Sequence, residues 1–398
     1  MSTIDSNNMP PLWRMLDSSR SAAAQDWNAV LARLRTHSEE ARWLTRFNVS
    51  FLHHILLYFK PPLEVVSALI DVYPKALQQK GLGGVLPLHY AASVHNNHSP
   101  DVVHAVLERY PIAAIMKDSS GESPLRWALA WRSFWGEDNS SSSSSLNDED
   151  SSSSPLAKVL SRRNVDVVRL LLNAHPAAAL EHNRRGGGPW QIVSKLWDRS
   201  SIIGTSSEMR EHLFELTEDI LRARFVARNG EQHDSSTFFQ FQPLHAVVRE
   251  KRCQAELRDS FIARYGSQAR HHDSTGRLCL HLAIEGGCTW ENGVKQFYQA
   301  APKAIETRDV RTHLFPVMMA AVGENAEVET IYHLLKEDPS LIMITEPTAR
   351  PTRSTWKLDS FSVYSRKPRR NSRRLSWCQF GTELGGWSAL LALGIILL

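Results

Sequence analysis

The residues most able to do chemistry gather between His271 and Cys288, where His271, His272, Asp273, Cys279, His281 and Cys288 offer six candidate ligands for a zinc ion. Structural zinc sites place paired ligands two to four residues apart at each end, and this cluster does not. Four histidines, His53, His89, His245 and His281, recur in one local setting, so they read as a structural series rather than a metal array. Gly81-Leu82-Gly83-Gly84 has the glycine content of a phosphate-cradling loop but no following Gly-Lys-Ser or Gly-Lys-Thr, and reads as a turn, as does Gly186-Gly187-Gly188. Gly-x-Ser-x-Gly, His-Glu-x-x-His and a kinase-type catalytic loop do not occur, and no catalytic centre, cofactor site or metal site is expected.

The setting of the histidines is a motif close to Pro-Leu-His-x-Ala. Clear copies are Pro87-Leu88-His89-Tyr90-Ala91, Pro124-Leu125-Arg126-Trp127-Ala128 and Pro243-Leu244-His245, with Cys279-Leu280-His281-Leu282-Ala283 lacking only the proline; weaker copies start at Phe51, Pro189 and Pro316. The first residues of the seven copies are therefore separated by 36, 37, 65, 54, 36 and 37 positions. A period this regular predicts repeated supersecondary units. The two long intervals require insertions of about 28 and 18 residues, and the first has a source in the serine-rich acidic run at 139–155, a solvated spacer open to phosphorylation.

After each motif comes a second apolar stripe with helical spacing that ends in proline. Examples are Val65, Val66, Leu69 and Ile70 before Tyr73-Pro74, Val102, Val103, Val106 and Leu107 before Tyr110-Pro111, and Val167, Val168, Leu171 and Leu172 before His175-Pro176. A less regular stripe precedes Ala301-Pro302, and Val328, Ile331, Leu334 and Leu335 precede Asp338-Pro339. Proline lacks the donor that continues a helix, so each is expected to close its second helix. Asp118-Ser119-Ser120-Gly121 and Asp273-Ser274-Thr275-Gly276 then supply turns. One such helix pair cannot bury both stripes alone, and neighbouring pairs must stack.

With these motifs the chain resembles the ankyrin-repeat family, whose units carry Thr-Pro-Leu-His-x-Ala. Its own period is longer than that family's, and its second helices end in Tyr-Pro or a relative of it. The resemblance implies an all-α, ankyrin-like solenoid of seven to eight stacked helix-turn-helix repeats over residues 24–341, with Trp27 to Ala41 as a degenerate first pair. It implies that the motif histidines bond to a neighbouring turn. It also implies binding of a protein partner: exposed turn residues would be Leu82, Val85, Ser119, Ser120, Glu122, Ser274, Thr275 and Arg277, and the inner helix face would include Ser93, Val94, Ala130, Trp131 and Glu285. Trp131, with Trp127, Phe134 and Trp135 nearby, is the candidate aromatic anchor; Trp127 and Trp131 share a helical face that packing also claims.

Outside the repeats lie a polar leader, 1–23, without the basic start and apolar run of a secretory signal, and two C-terminal segments. Residues 342–376 are a basic flexible arm: Arg350 to Arg374 holds nine Lys or Arg against Asp359. Since the whole chain is only +4, the rest is slightly acidic, which disfavours a nucleic-acid-binding body. Ser372 and Ser376 follow paired arginines in the manner of basophilic kinase sites. Residues 377–398 end in an uncharged run from Gly385 that would span about 21 Å as a helix, short of the roughly 30 Å of hydrocarbon unless extended back through Glu383. They are a candidate membrane tail anchor, with the repeats facing the cytosol. Four cysteines without paired spacing suit a reducing compartment. The expectation is an intracellular, non-catalytic scaffold; the alternative is a nuclear or nucleic-acid-associated regulator acting through the basic arm.

Overall fold

The computed structural model describes residues 9–16, 25–129, 155–184, 186–203, 205–229, 241–250, 253–322 and 326–341. Among them are helices, 3-10 turns and one isolated antiparallel bridge, Leu44 with Ser50, and no β-strand; the chain is all-α. The serine-rich run up to Ser154, Ala130, Trp131, Phe134, Trp135, the basic arm with Ser372 and Ser376, and the apolar segment 377–398 lie outside the described residues. No helix of the described residues is long and apolar enough to cross a membrane.

The helices are α1 (Pro11–Arg14), α2 (Trp27–Thr36), α3 (Phe51–Tyr58), α4 (Leu63–Val72), α5 (Pro87–Ala92), α6 (Pro100–Arg109), α7 (Pro124–Leu129), α8 (Pro155–Val159), α9 (Arg162–Ala174), α10 (Pro189–Ile203) and α11 (Ser207–Asn229). They continue with α12 (Pro243–Arg249), α13 (Ala255–Tyr265), α14 (Cys279–Glu285), α15 (Lys295–Ala300), α16 (Pro316–Val322) and α17 (Val328–Glu337). All seven motif markers, Phe51, Pro87, Pro124, Pro189, Pro243, Cys279 and Pro316, are the first residue of a helix. Proline suits that position, because its missing N–H would have no intrahelical partner there and its φ is preset.

The chain divides into two compact units between Tyr265 and Gly266, inside the repeat that begins at Pro243. In the first unit the motif helices form one row, α3 against α5, α5 against α7 and α7 against α10. The second helices form another, α2 against α4, α4 against α6, α6 against α9 and α9 against α11. Motif leucines point between the rows: Leu52, Leu88, Leu125 and Leu244 are buried, and so are the stripes of α4, α6 and α9. Ser99 and Ser161 cap α6 and α9 by accepting from the N–H groups of Val102 and Asn164. In the second unit α14 packs on α15 and α16, α16 packs on α17, and Leu280 is buried. Here one expectation is corrected: Val328, the first residue of α17, is exposed, and the buried apolar stripe of the helix comes down to Ile331 and Leu334.

Each second-helix proline does more than stop a helix. Tyr73, Tyr110, His175 and Ala301 all take φ between −148° and −138° with ψ of 74° to 83°, and the next residue, proline, starts a 3-10 turn (Pro74–Gln78, Pro111–Ala114, Pro176–Leu180, Pro302–Glu306). α2 ends in the same way without proline, His37 leading into Ser38–Arg42. The repeat at Pro189 departs most from the others: α10 and α11 run 15 and 23 residues, against 6 and 10 for α5 and α6. The long interval after Pro189 is thus filled at least in part by helix extension. The leader also contributes to packing, since Leu12 and Trp13 are buried, Trp13 lies edge-on to Trp43 and Phe51, and the Leu12 N–H donates to Glu40 at 2.8 Å.

Leu88→Ala should remove about 2–5 kcal/mol of stability, as for other fully buried leucines. A denaturant-unfolding curve is the measurement, and a loss below about 1 kcal/mol would show that this leucine does not hold the rows together.

Candidate functional site

Six residues before a motif marker, the chain makes the same turn again and again. In Thr45–Val49, Gly81–Val85, Asp118–Glu122, Asn183–Gly187 and Asp273–Arg277 the first residue's N–H donates to the fifth residue's carbonyl at 2.9–3.1 Å, and the fourth residue's N–H donates back to the first carbonyl at 2.9–3.0 Å. The fourth residue is left-handed in every case: Asn48, Gly84, Gly121, Gly186 and Gly276, with φ from 63° to 81°. Glycine and asparagine tolerate that region. The side chain of the first residue closes the turn from within, as the fifth N–H donates to Thr45 Oγ1 (3.1 Å), Asp118 Oδ1 (2.9 Å), Asn183 Oδ1 (2.8 Å) and Asp273 Oδ1 (3.0 Å).

The motif side chain then ties one unit to the next. His53 Nδ1 accepts from the Ser50 N–H at the start of its own helix, and Nε2 donates to the Val85 carbonyl at 3.2 Å. His89 accepts from Leu86 and donates to the Glu122 carbonyl at 3.3 Å. Arg126, standing where histidine would be, donates from Nη1 to the Gly187 carbonyl at 2.9 Å. Val85, Glu122 and Gly187 are all fifth turn residues, so two residue types meet one demand. In the second unit His281 accepts from Leu278 and donates to the Thr307 carbonyl at 2.9 Å, just ahead of the turn that starts at Asp309. These buried rings are committed to backbone. Burial pushes His53 down to about 4, and His98, whose Nε2 donates to the Leu56 carbonyl at 2.7 Å, also to about 4; His89 and His281 are lowered for the same reason. Among the described residues no three His, Cys, Asp or Glu side chains are placed to hold a metal ion.

The first unit's turns lie side by side. Asn48 Nδ2 donates to the Lys80 carbonyl at 3.3 Å, the Ser119 N–H donates to the Gly83 carbonyl at 2.8 Å, and Asn183 Nδ2 donates to Glu122 Oε1 at 2.8 Å. Their second and third positions face outward: Arg46 and Phe47, Leu82, Ser119 and Ser120, and Arg184 are exposed. Leu82 is 65% accessible and Phe47 45%, with the Arg46 guanidinium 4.6 Å from the Phe47 ring centroid.

The expected contact residues therefore divide. Leu82, Ser119 and Ser120 stand on this row, and Ser274 and Thr275 are exposed at the corresponding turn of the second unit. Glu285 is exposed, yet its carboxylate pairs with Arg277 and Arg311. Glu122 is half-buried and holds Arg126 and Asn183. Four expectations of exposure are corrected. Val85 is buried because the fifth turn position feeds directly into the motif helix. Ser93 and Val94 are buried where α5 ends against α7, the Val94 N–H donating to the Trp127 carbonyl. Arg277 turns inward, its Nε donating to buried Asp309 at 2.6 Å. Trp127 is half-buried, lies edge-on to His89 and Tyr90, and donates from Nε1 to Asp118 Oδ2 at 3.1 Å, so it braces its own turn.

No protein-family model and no curated protein sequence matches the chain.

Removing a motif histidine strands a carbonyl and a helix-start N–H together, and removing Arg126 strands the Gly187 carbonyl. Arg126→Ala and His89→Ala should each cost about 1–3 kcal/mol of unfolding free energy, while Arg126→His should recover part of the Arg126→Ala loss. Equal stability of Arg126→Ala and the parent would dissolve the equivalence of the two residue types. The histidines also set an acid response. Each buried ring stays neutral in the fold, while an unfolded ring binds a proton below its ordinary value of 6.5. Stability should be fully present above pH 6.5 and fall as pH drops towards 4, by up to about 1.4 kcal/mol per pH unit for each ring. Denaturant midpoints measured from pH 7.5 to 4 test this, and a loss beginning only below 4.5 would assign the response to carboxylates.

Proposed function

We propose that the chain is an ankyrin-like repeat solenoid acting as a non-catalytic scaffold, and that it binds a protein partner along the outward positions of its turns. The observation that supports this reading most is the threefold tie from His53, His89 and Arg126 to the fifth residue of the following turn. It makes the motif residues that could do chemistry internal fasteners and leaves a fixed row of exposed side chains. Stacked repeats of this kind present extended surfaces on which exposed positions vary without cost to the core. Exposed apolar residues held on hydrogen-bonded turns, Leu82 and Phe47 above all, lose little conformational freedom when a partner covers them.

Affinity capture with the full chain tests the reading against a Leu82→Asn, Ser120→Gln variant. Both positions are exposed, so the melting temperature should be unchanged. At least one captured protein should drop by about tenfold or more, the change expected from losing about 1.4 kcal/mol at an interface. Equal recovery of every protein by both forms would remove the turn row from the binding surface.

A further inference from the structure

The turn row of the first unit presents cations outward while its carboxylates are engaged within it. Outside the basic arm the sequence carries a slight excess of acids, yet the exposed charges on this row are Arg46, Lys80, Lys117 and Arg184, of which Lys117 pairs with Glu181. Among the described turn residues and the two residues ahead of each turn, the carboxylates are Asp118, Glu122 and Glu181. Asp118 is buried and accepts from Ser120, Glu122 and Trp127. Glu122 is held by Arg126 and Asn183, and Glu181 pairs with Lys117 at 3.3 Å. The acids of the row are thus spent inside it, while Arg46, Lys80 and Arg184, outside those pairs, face outward with Leu82.

We propose that this row binds an acidic peptide segment, with Arg46, Lys80 and Arg184 meeting its carboxylates and Leu82 an apolar side chain between them. The proposal rests on the scaffold reading and specifies the chemistry of the partner. Four adjacent turns at the usual 8–10 Å spacing of packed helices span about 30 Å, the reach of roughly nine to ten extended residues. A nucleic acid suits the row less well: three cations spread over that length supply few phosphate contacts, where tight backbone binding uses six to ten. The spacing instead fits acids distributed along a peptide. Ser119 and Ser120 lie between Lys80 and Arg184 in the sequence order of the turns, so negative charge placed on them would compete with the partner's own acids.

The test uses the full chain and a fluorescein-labelled 12-residue peptide of glutamate, serine and two leucines, followed by anisotropy, beside the same peptide with glutamine for glutamate. The acidic peptide should bind about tenfold or more tightly than the neutral one, with affinity that falls as salt rises. Lys80→Glu with Arg184→Glu should weaken it by about tenfold, and Ser119→Asp with Ser120→Asp should weaken it in the same direction. Circular dichroism melts establish that the variants fold, and the comparison of the two peptides on the parent chain stands even if they do not. Equal affinity for the acidic and neutral peptides would overturn the proposal. So would acidic-peptide binding untouched by the charge reversals, which would assign it to the basic arm. Tighter binding of a 12-nucleotide oligothymidylate that the same reversals abolish would give the row to nucleic acid and overturn it too. If the peptide fails while protein capture still depends on Leu82 and Ser120, the scaffold reading stands and the acidic chemistry falls.

Discussion

The stacking of this chain depends on a hydrogen bond that leaves its own unit. A motif side chain near the start of a short helix reaches forward to the carbonyl of the fifth residue in the next turn, from His53 to Val85, His89 to Glu122 and Arg126 to Gly187. Helices of six to eight residues have little stability by themselves. Nor would the turn carbonyl be tolerable unpaired in a buried setting, where an orphaned acceptor costs about as much as a lost hydrogen bond. One imidazole meets both needs, since one nitrogen accepts from the helix start while the other donates onward. Burial that holds the ring neutral keeps that division of roles intact.

The turns are the other half of the arrangement. A carbonyl can be a fixed target only if its residue is fixed, and the fifth position is held by the first residue's N–H and, in most of the turns, by the first side chain as well. This explains why insertions enter elsewhere. The interval after Pro124 takes up its extra residues beyond α7, and the one after Pro189 lengthens α10 and α11, while the Asn183–Gly187 turn and its contact with Arg126 survive between them. A spacer can be added wherever it leaves both ends of the tie in place.

Much of this was legible in the sequence because it rests on residue types with narrow roles. Proline at Pro87, Pro124, Pro189, Pro243 and Pro316 marks a first helical residue, and the alternating apolar pairs of α4, α6 and α9 mark a buried stripe. What stayed hidden depends on partners distant in sequence. Arg126 reads as a break in the motif until its guanidinium is seen on Gly187. Asn48 shares the backbone of Gly84 and Gly121 without sharing their residue type. Val85, Ser93, Val94 and Arg277 look like surface by position in a repeat, and each is buried by an element roughly one period away or by the helix that follows it. The Leu12 and Trp13 contacts with the region near Glu40 likewise carry no periodic signal.

The same accounting says which side chains are available for recognition. In each turn the first residue closes the loop and the fourth supplies the left-handed conformation, and in the turns ending at Val85, Glu122 and Gly187 the fifth offers its carbonyl to the preceding unit, so three of five positions are fixed by folding. The second and third are not, and they differ most along the row: Arg46 and Phe47, Leu82 and Gly83, Ser119 and Ser120, then Arg184. A partner that reads this protein would read those positions, on a backbone whose registration is set by buried contacts that it never touches.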